Sequence, residues 1–422
     1  MRKTKYFWMG ILVIALVMTL GPGGTALAEE KKTIMIGCQT DYDRLITIGP
    51  VVAQGIKDYM AYWKKTVGTI NGYPVEMMEC NHGYDVNRAL ECYQRHKMAG
   101  IVSLSTYGTP HTYAITPKIL ADKIPAITPG FGRADAMDGK SFPYIFPAAA
   151  TYWSQATASI KYIQEVEGKE NLKGVKIAYL YYDNPAGKEP MGVFEKLKKR
   201  FGFEFRTFGV PSPGVEMGAQ VTDITRRYKA NWVIAHLFGR SPSVSLAELY
   251  RKGFPLDHYL GFVWGVCETD VAAAGEDLSK GMLGIQYTGL GHDYDVSRGI
   301  KKMYEEEGKE MHKYWTTTGY YNRGIYWAAV QVEAVRLAME LHGPPITGEK
   351  VKDGYEHIKD FTMGGLLPPF IFTPEDHEGG GWVRIYQWDG KQFGLKKDWY
   401  NAYREVIMEE LAEVTKATEK KE

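Results

Sequence analysis

From Lys32 onward, short apolar runs alternate with helix-patterned stretches, and this alternation constrains the fold more than any other feature of the chain. Lys32–Cys38, Tyr73–Cys80, Ile101–Leu104 and Ile124–Thr128 read as buried strands. Helical spacing fills 49–65, 85–98 and 111–122 between them, with Asp85 placed to cap the second. Strands separated by helices cannot be joined as hairpins. They pair in parallel, in a doubly wound sheet. After Tyr144–Ala150 the pattern restarts. A helix at 153–167 leads into strands at 175–182, 204–208, 232–236 and 259–263, with helices at 189–201, 217–229 and 244–252. Strand 282–287, helices 296–307 and 318–341, and a β segment at 369–388 follow. At 422 residues the chain exceeds what one core supports, so two α/β lobes are expected. No Pro-rich or Ser-rich linker separates them, which implies short crossovers and a hinge. The polar stretch 411–422 reads as a fraying tail.

The first 28 residues have the layout of a cleavable export signal. Arg2, Lys3 and Lys5 precede an apolar run from Phe7 to Leu20, and Ala26-Leu27-Ala28 follows the breakers Gly21-Pro22-Gly23-Gly24. Cleavage is expected after Ala28. No Cys stands at the cleavage point after the apolar run, which argues against a lipid anchor. Formal net charge is +1, and loss of the three basic residues lowers it by three, which gives no electrostatic case for nucleic acid or an anionic membrane. Export permits a disulfide. Cys80 ends a strand and Cys92 lies in the next helix, so Cys80–Cys92 is the first expectation. Cys38 competes for Cys80, and free buried thiols remain an alternative.

Enzyme motifs are absent. There is no G-x-S-x-G elbow, Walker loop, dinucleotide fingerprint or His-Glu-x-x-His. His82, His111, His236 and His292 lack metal-ligand spacing, so neither a metal nor a cofactor is expected.

Several segments together resemble the periplasmic solute-binding proteins of the branched-chain amino-acid ABC transporters (type I fold). They are Gly55-Ile-Lys-Asp-Tyr-Met-Ala-Tyr-Trp63 with Asn71–Glu76, Asp85-Val-Asn-Arg-Ala89, Ile124-Pro-Ala-Ile-Thr-Pro-Gly130, Tyr181-Tyr-Asp-Asn-Pro-Ala-Gly187, Gly281–Gly284 and Ile325–Ala334. The resemblance implies two Rossmann-like lobes with parallel-rich sheets, joined by three crossovers near 148–151, 267–283 and 364–372. One lobe would comprise 29–148 plus 268–363, the other 149–267 plus 364–410. It further implies a monomeric periplasmic protein, not an enzyme, that closes over a small ligand and delivers it to a membrane permease with its ATPase.

In that family the loop after the third strand offers hydroxyls and amides to a carboxylate. Here it is Ser105–Thr112, with Tyr107, Gly108, Thr109 and Thr112 as candidates. The start of the following helix would add its positive dipole end. The next loop offers Gly130, Phe131 and Arg133. Tyr42, Tyr152, Tyr182 and Trp264 are candidates for an aromatic wall.

Two departures matter. Ala186 stands where relatives place an aromatic residue, and Trp264 or Val263 stands where they place the acid that pairs with a ligand's ammonium. Glu268 is the nearby substitute. A buried ammonium without a partner is costly, so the expected ligand is an organic acid with an apolar or aromatic body. The alternatives are an amino-acid or amide binder using Glu268, an exported sensory module, and an exported enzyme on the same scaffold.

Overall fold

The computed structural model describes residues 32–45, 47–211 and 213–419; the expected export signal lies outside them. The first sheet comprises β1 (Ile34–Thr40), β2 (Thr69–Ile70), β3 (Tyr73–Asn81), β4 (Leu104–Ser105), β5 (Ala126–Ile127) and β6 (Ile145–Phe146), in the order β2-β3-β1-β4-β5-β6. All pairings are parallel except the β2–β3 hairpin. Helices α1 (Gly49–Thr66), α2 (Val86–Met98) and α3 (Thr109–Asp122) connect these strands. Asp85 caps α2 by accepting from Arg88 N.

The second sheet takes β7 (Lys176–Tyr182), β8 (Glu204–Val210), β9 (Trp232–His236), β10 (Tyr259–Gly261), β11 (Leu283–Gln286), β12 (Val383–Trp388) and β13 (Phe393–Tyr400), in the order β13-β12-β11-β10-β9-β7-β8. It is parallel from β8 to β11 and antiparallel at β12 and β13. Its helices begin with α4 (Tyr152–Glu167), α5 (Pro185–Lys188), α6 (Met191–Phe201), α7 (Gly218–Thr222), α8 (Ser241–Arg251) and α9 (Glu268–Ala274). After β11 the chain returns to the first sheet through α10 (Asp295–Glu306), α11 (Thr318–His342) and α12 (Gly348–Glu356). Helix α11 packs along α1, and α12 packs on α11. The last helix, α13 (Arg404–Glu419), packs on α4 and α6. The α/β class with two parallel-rich sheets is the expected one.

Three details differ from expectation. The boundary at 268 assigns Leu283–Gln286 to the first lobe, but β11 pairs with β10 and β12 in the second sheet. A short apolar run announces a strand without saying which sheet receives it. The segment 369–382 is irregular, because Pro374 and the left-handed Gly379, Gly380 and Gly381 break pairing. The stretch from Leu411 is not a fraying tail up to residue 419. Leu411 is buried, and Glu410 and Glu413 pair with Lys196 of α6.

Cys80 and Cys92 form a disulfide with Cα atoms 5.6 Å apart, tying the end of β3 to α2. Cys38 and Cys267 are free and buried. The bridge closes a short loop, so its reduction is expected to destabilise the protein by about 2–3 kcal/mol. Guanidinium titration of Cys92→Ser against wild type measures this. A loss below about 0.5 kcal/mol would contradict it.

Candidate functional site

In both sheets the chain reverses its lateral direction, at β1 and at β9–β7, and loops leave the carboxyl ends of the parallel strands there. The cleft between the lobes is built mainly from these loops. Leu45 follows β1, Tyr84 follows β3, Tyr107 to Thr109 follow β4, and Phe131 follows β5. From the second lobe come Ala186 after β7, Phe238 after β9 and Trp264 after β10. Ile48 and Tyr152, at the starts of α1 and α4, complete the walls. The space among these residues is about 360 Å³, part of it open to solvent. Across it the lobes touch directly, through Trp264 Nε1 to Gly130 O and Ala134 N to Glu189 Oε1.

Of the expected residues, Tyr107, Gly108, Thr109, Phe131, Tyr152 and Trp264 meet in this cleft. Gly108 has φ +89°, and a Cβ there would lie 2.8 Å from His111 Nδ1 and 2.9 Å from Tyr84 Cε2. Thr109 opens α3 but does not cap it; its Oγ1 accepts the amide N–H of Gly132 at 3.1 Å. The start of α3 thus borders the cleft without a side-chain cap, with the tyrosine hydroxyl of Tyr107 buried nearby and lacking a hydrogen-bond partner. Gly130 does not line the space but joins the lobes, since its carbonyl accepts the indole N–H of Trp264 at 2.7 Å.

The other candidates are placed elsewhere. Thr112 lies one turn behind, bonded to Thr106 Oγ1 at 2.8 Å and Gly108 O at 3.1 Å. Arg133 is engaged by Asp135 through two bonds of 2.8 and 2.5 Å and stacks on Phe142, so its guanidinium already has an acid. Tyr182 backs the wall by stacking on Phe238 at 4.7 Å. Tyr42 is drawn away by Glu79 at 2.6 Å and Lys57 at 2.7 Å. Glu268 opens α9, and its carboxylate reaches the start of α11, accepting from Thr318 Oγ1, from Gly319 N at 3.2 Å and from Cys267 Sγ at 2.8 Å.

The walls carry no ionised side chain among the described residues. Burial also keeps the neighbours neutral. It pushes His236, whose ring lies 4.1 Å from Tyr152, down to about 3, and likewise His82, which stacks on His111 at 4.3 Å. Tyr107 and Tyr152 are held well above the usual tyrosine range by the same cause. Sequence reasoning missed Leu45, Ile48, Tyr84 and Phe238. The usable signal for three of them is position, because each closely follows the carboxyl end of a parallel strand. It also missed Glu189, a half-buried residue at the lobe junction whose carboxyl Oε2 is buried.

No group of side chains that could hold a metal ion occurs among the described residues, and no helix there is long and apolar enough to cross a membrane.

Residues 44–392 match the family model described as "Periplasmic binding protein". A solved structure titled as an ABC transporter permease from the Pseudomonas fluorescens group is 34% identical, covering 92% of this chain and 97% of that one, with a TM-score of 0.85. A branched-chain amino acid ABC transporter protein from Thermus thermophilus, with bound valine, is 20% identical over 89% and 97% of the two chains, TM-score 0.76. A fatty acid ABC transporter substrate-binding protein from Thermomonospora curvata is 17% identical over 88% and 93%, TM-score 0.72. No curated protein sequence matches the chain. The family consists of solute-binding proteins of ABC transporters rather than enzymes. The cleft between two doubly wound lobes and the match over most of the sequence lead to one statement: this chain belongs to the periplasmic binding protein family.

Proposed function

We propose that the protein captures a small carboxylate with an apolar or aromatic body outside the cytoplasmic membrane, closes its lobes over it, and delivers it to an ABC importer. The observation that carries this reading is the neutral, aromatic cleft with a helix start at one end. Tyr84, Tyr107, Phe131, Tyr152, Phe238 and Trp264 offer rings from both lobes. The uncapped start of α3 and the Tyr107 hydroxyl offer donors suited to an anion. An α-amino acid would bring an ammonium into walls that hold no carboxylate, at a cost of several kcal/mol. The acid proposed to replace the missing partner, Glu268, already bonds Thr318 and Gly319. The Thermomonospora curvata protein named as a fatty acid ABC transporter substrate-binding protein, on the same fold, supports a ligand of this chemical class. The basic start and apolar run of residues 1–28 support export.

Thermal-shift screening of the protein lacking residues 1–28 tests the reading. Aromatic and aliphatic carboxylates are expected to raise the melting temperature above any free amino acid. A ligand at a hundred times its Kd contributes about 2.7 kcal/mol of stability. If leucine or another plain amino acid stabilised best, the organic-acid reading would fall.

A further inference from the structure

Glu189 lies where the two lobes meet, between α5 and α6. Its backbone carbonyl accepts the indole N–H of Trp153 at 3.0 Å, which fixes it to the second lobe. Its Oε1 accepts the amide N–H of Ala134, which belongs to the first lobe. Its Oε2 is buried and has no hydrogen-bond partner. Room for that oxygen exists because residue 132 is glycine. A Cβ there would lie 2.3 Å from Oε2 and 2.7 Å from Cγ2 of Thr109, a cleft residue. The carboxyl therefore packs closely against Gly132, in the loop that carries Gly130 and Phe131.

The groups facing Glu189 do not neutralise it as a carboxylate. On the first lobe these are Arg133 and Asp135, with Tyr113 of α3; on the second they are Tyr152 of α4 and Tyr179 of β7. Arg133 is held by Asp135 in two bonds, and Asp135 adds a like charge. The tyrosines are neutral. An ionised Glu189 in the closed molecule would place negative charge on a buried Oε2, with one amide donor on Oε1 and no free cation, which is unfavourable.

We propose that closing the lobes takes up a proton at Glu189, making it a positioning residue that seats the 130–134 loop against the second lobe when neutral and repels closure when ionised. This rests on the lobe-closure reading above. Burial is the main cause pushing the Glu189 carboxyl up to about 8; Asp135 raises it further, and the Ala134 amide and Arg133 oppose. In the open form water returns the carboxyl to its ordinary range. The sign follows. The closed form binds the proton more tightly, so closure is fully supported below the ordinary carboxylate range. It weakens by about tenfold per pH unit as pH rises toward 8, and is flat beyond.

The test needs no ligand. The full chain carrying 13C-labelled glutamate carboxyls is titrated by NMR, with Glu189 assigned by its loss in Glu189→Gln. Small-angle scattering follows lobe separation between pH 6 and pH 9. The expected result is a Glu189 midpoint near 8, an Ala134 amide shift with the same midpoint, and expansion of the wild type that Glu189→Gln does not show. A Glu189 midpoint in the ordinary carboxylate range, or equal expansion of both proteins, overturns the proposal. The wild-type titration decides even if the variant folds poorly. A carboxylate screen without hits would strike at the ligand class and leave this result standing, whereas an ordinary midpoint would leave the screen untouched.

Discussion

Gly324→Val is expected to destabilise the protein by at least about 3 kcal/mol, measured by guanidinium unfolding. Helices α1 and α11 cross with glycine against glycine. A Cβ on Gly324 would lie 2.1 Å from Val52 O, 2.8 Å from Ile56 N and 2.9 Å from Gly55 Cα. A Cβ on Gly55 would lie 2.1 Å from Tyr321 O. These are backbone atoms inside helices, so no rotamer change relieves the clash and the helices must part. Parting them opens the seam where Asp58 of α1 accepts the hydroxyls of Tyr321 at 2.6 Å and Tyr304 at 2.7 Å. It also shifts Trp327 of α11, which packs behind the cleft against Tyr107 and Phe131 at about 6 Å between ring centres. Both stability and ligand binding should therefore suffer. Valine at the exposed Glu340 of the same helix is expected to change stability by less than about 1 kcal/mol. Equal, small effects at both positions would show that the crossing tolerates separation.

That crossing illustrates what the sequence could reveal and what it could not. The Gly55 helix and the 318–341 helix are each legible from periodicity, yet nothing in either pattern says that they touch. The same limit explains β11. Its apolar run is evident, but its partner strands lie 23 residues before it on one side, as Leu260 pairs with Leu283, and about a hundred after it on the other. The loops read as ligand-facing were legible because the carboxyl ends of parallel strands meet in one crevice. Their individual side chains were not, because each choice depends on local competitors. Arg133 found Asp135 two residues on, and Glu268 found the open start of α11. Glu189 looked like an ordinary polar helix start, and only its burial against Ala134 and Gly132 distinguishes it. Strand β13, with Lys396, Lys397 and Asp398, lacks an apolar pattern because it lies at a sheet edge, where charges guard against pairing with other chains.

Trp264→Ala is expected to weaken binding of the best-stabilising acid by about 30-fold or more, and Trp264→Phe by about three- to tenfold, by isothermal calorimetry. The indole does two jobs that the pair of variants separates. Its ring forms part of the cleft wall, 6.0 Å from Phe131, and its N–H bonds Gly130 O across the lobes. Alanine removes both, whereas phenylalanine keeps a ring and loses the bond. The ring is also held from behind. Arg323 is fully buried, donates to Gln286 Oε1, and has its Nε and Nη1 without hydrogen-bond partners. Its guanidinium carbon lies 4.7 Å from the Trp264 ring centre, 4.9 Å from that of Tyr287 and 5.2 Å from that of Tyr320. These aromatic faces stabilise the cation, with the buried Asp270 as an opposite charge nearby, so the alanine variant should also melt earlier than the phenylalanine variant. A phenylalanine variant that binds as weakly as alanine would assign the effect to the interlobe bond. One that binds like wild type would assign it to the wall. An alanine variant with undiminished affinity would remove Trp264 from the site.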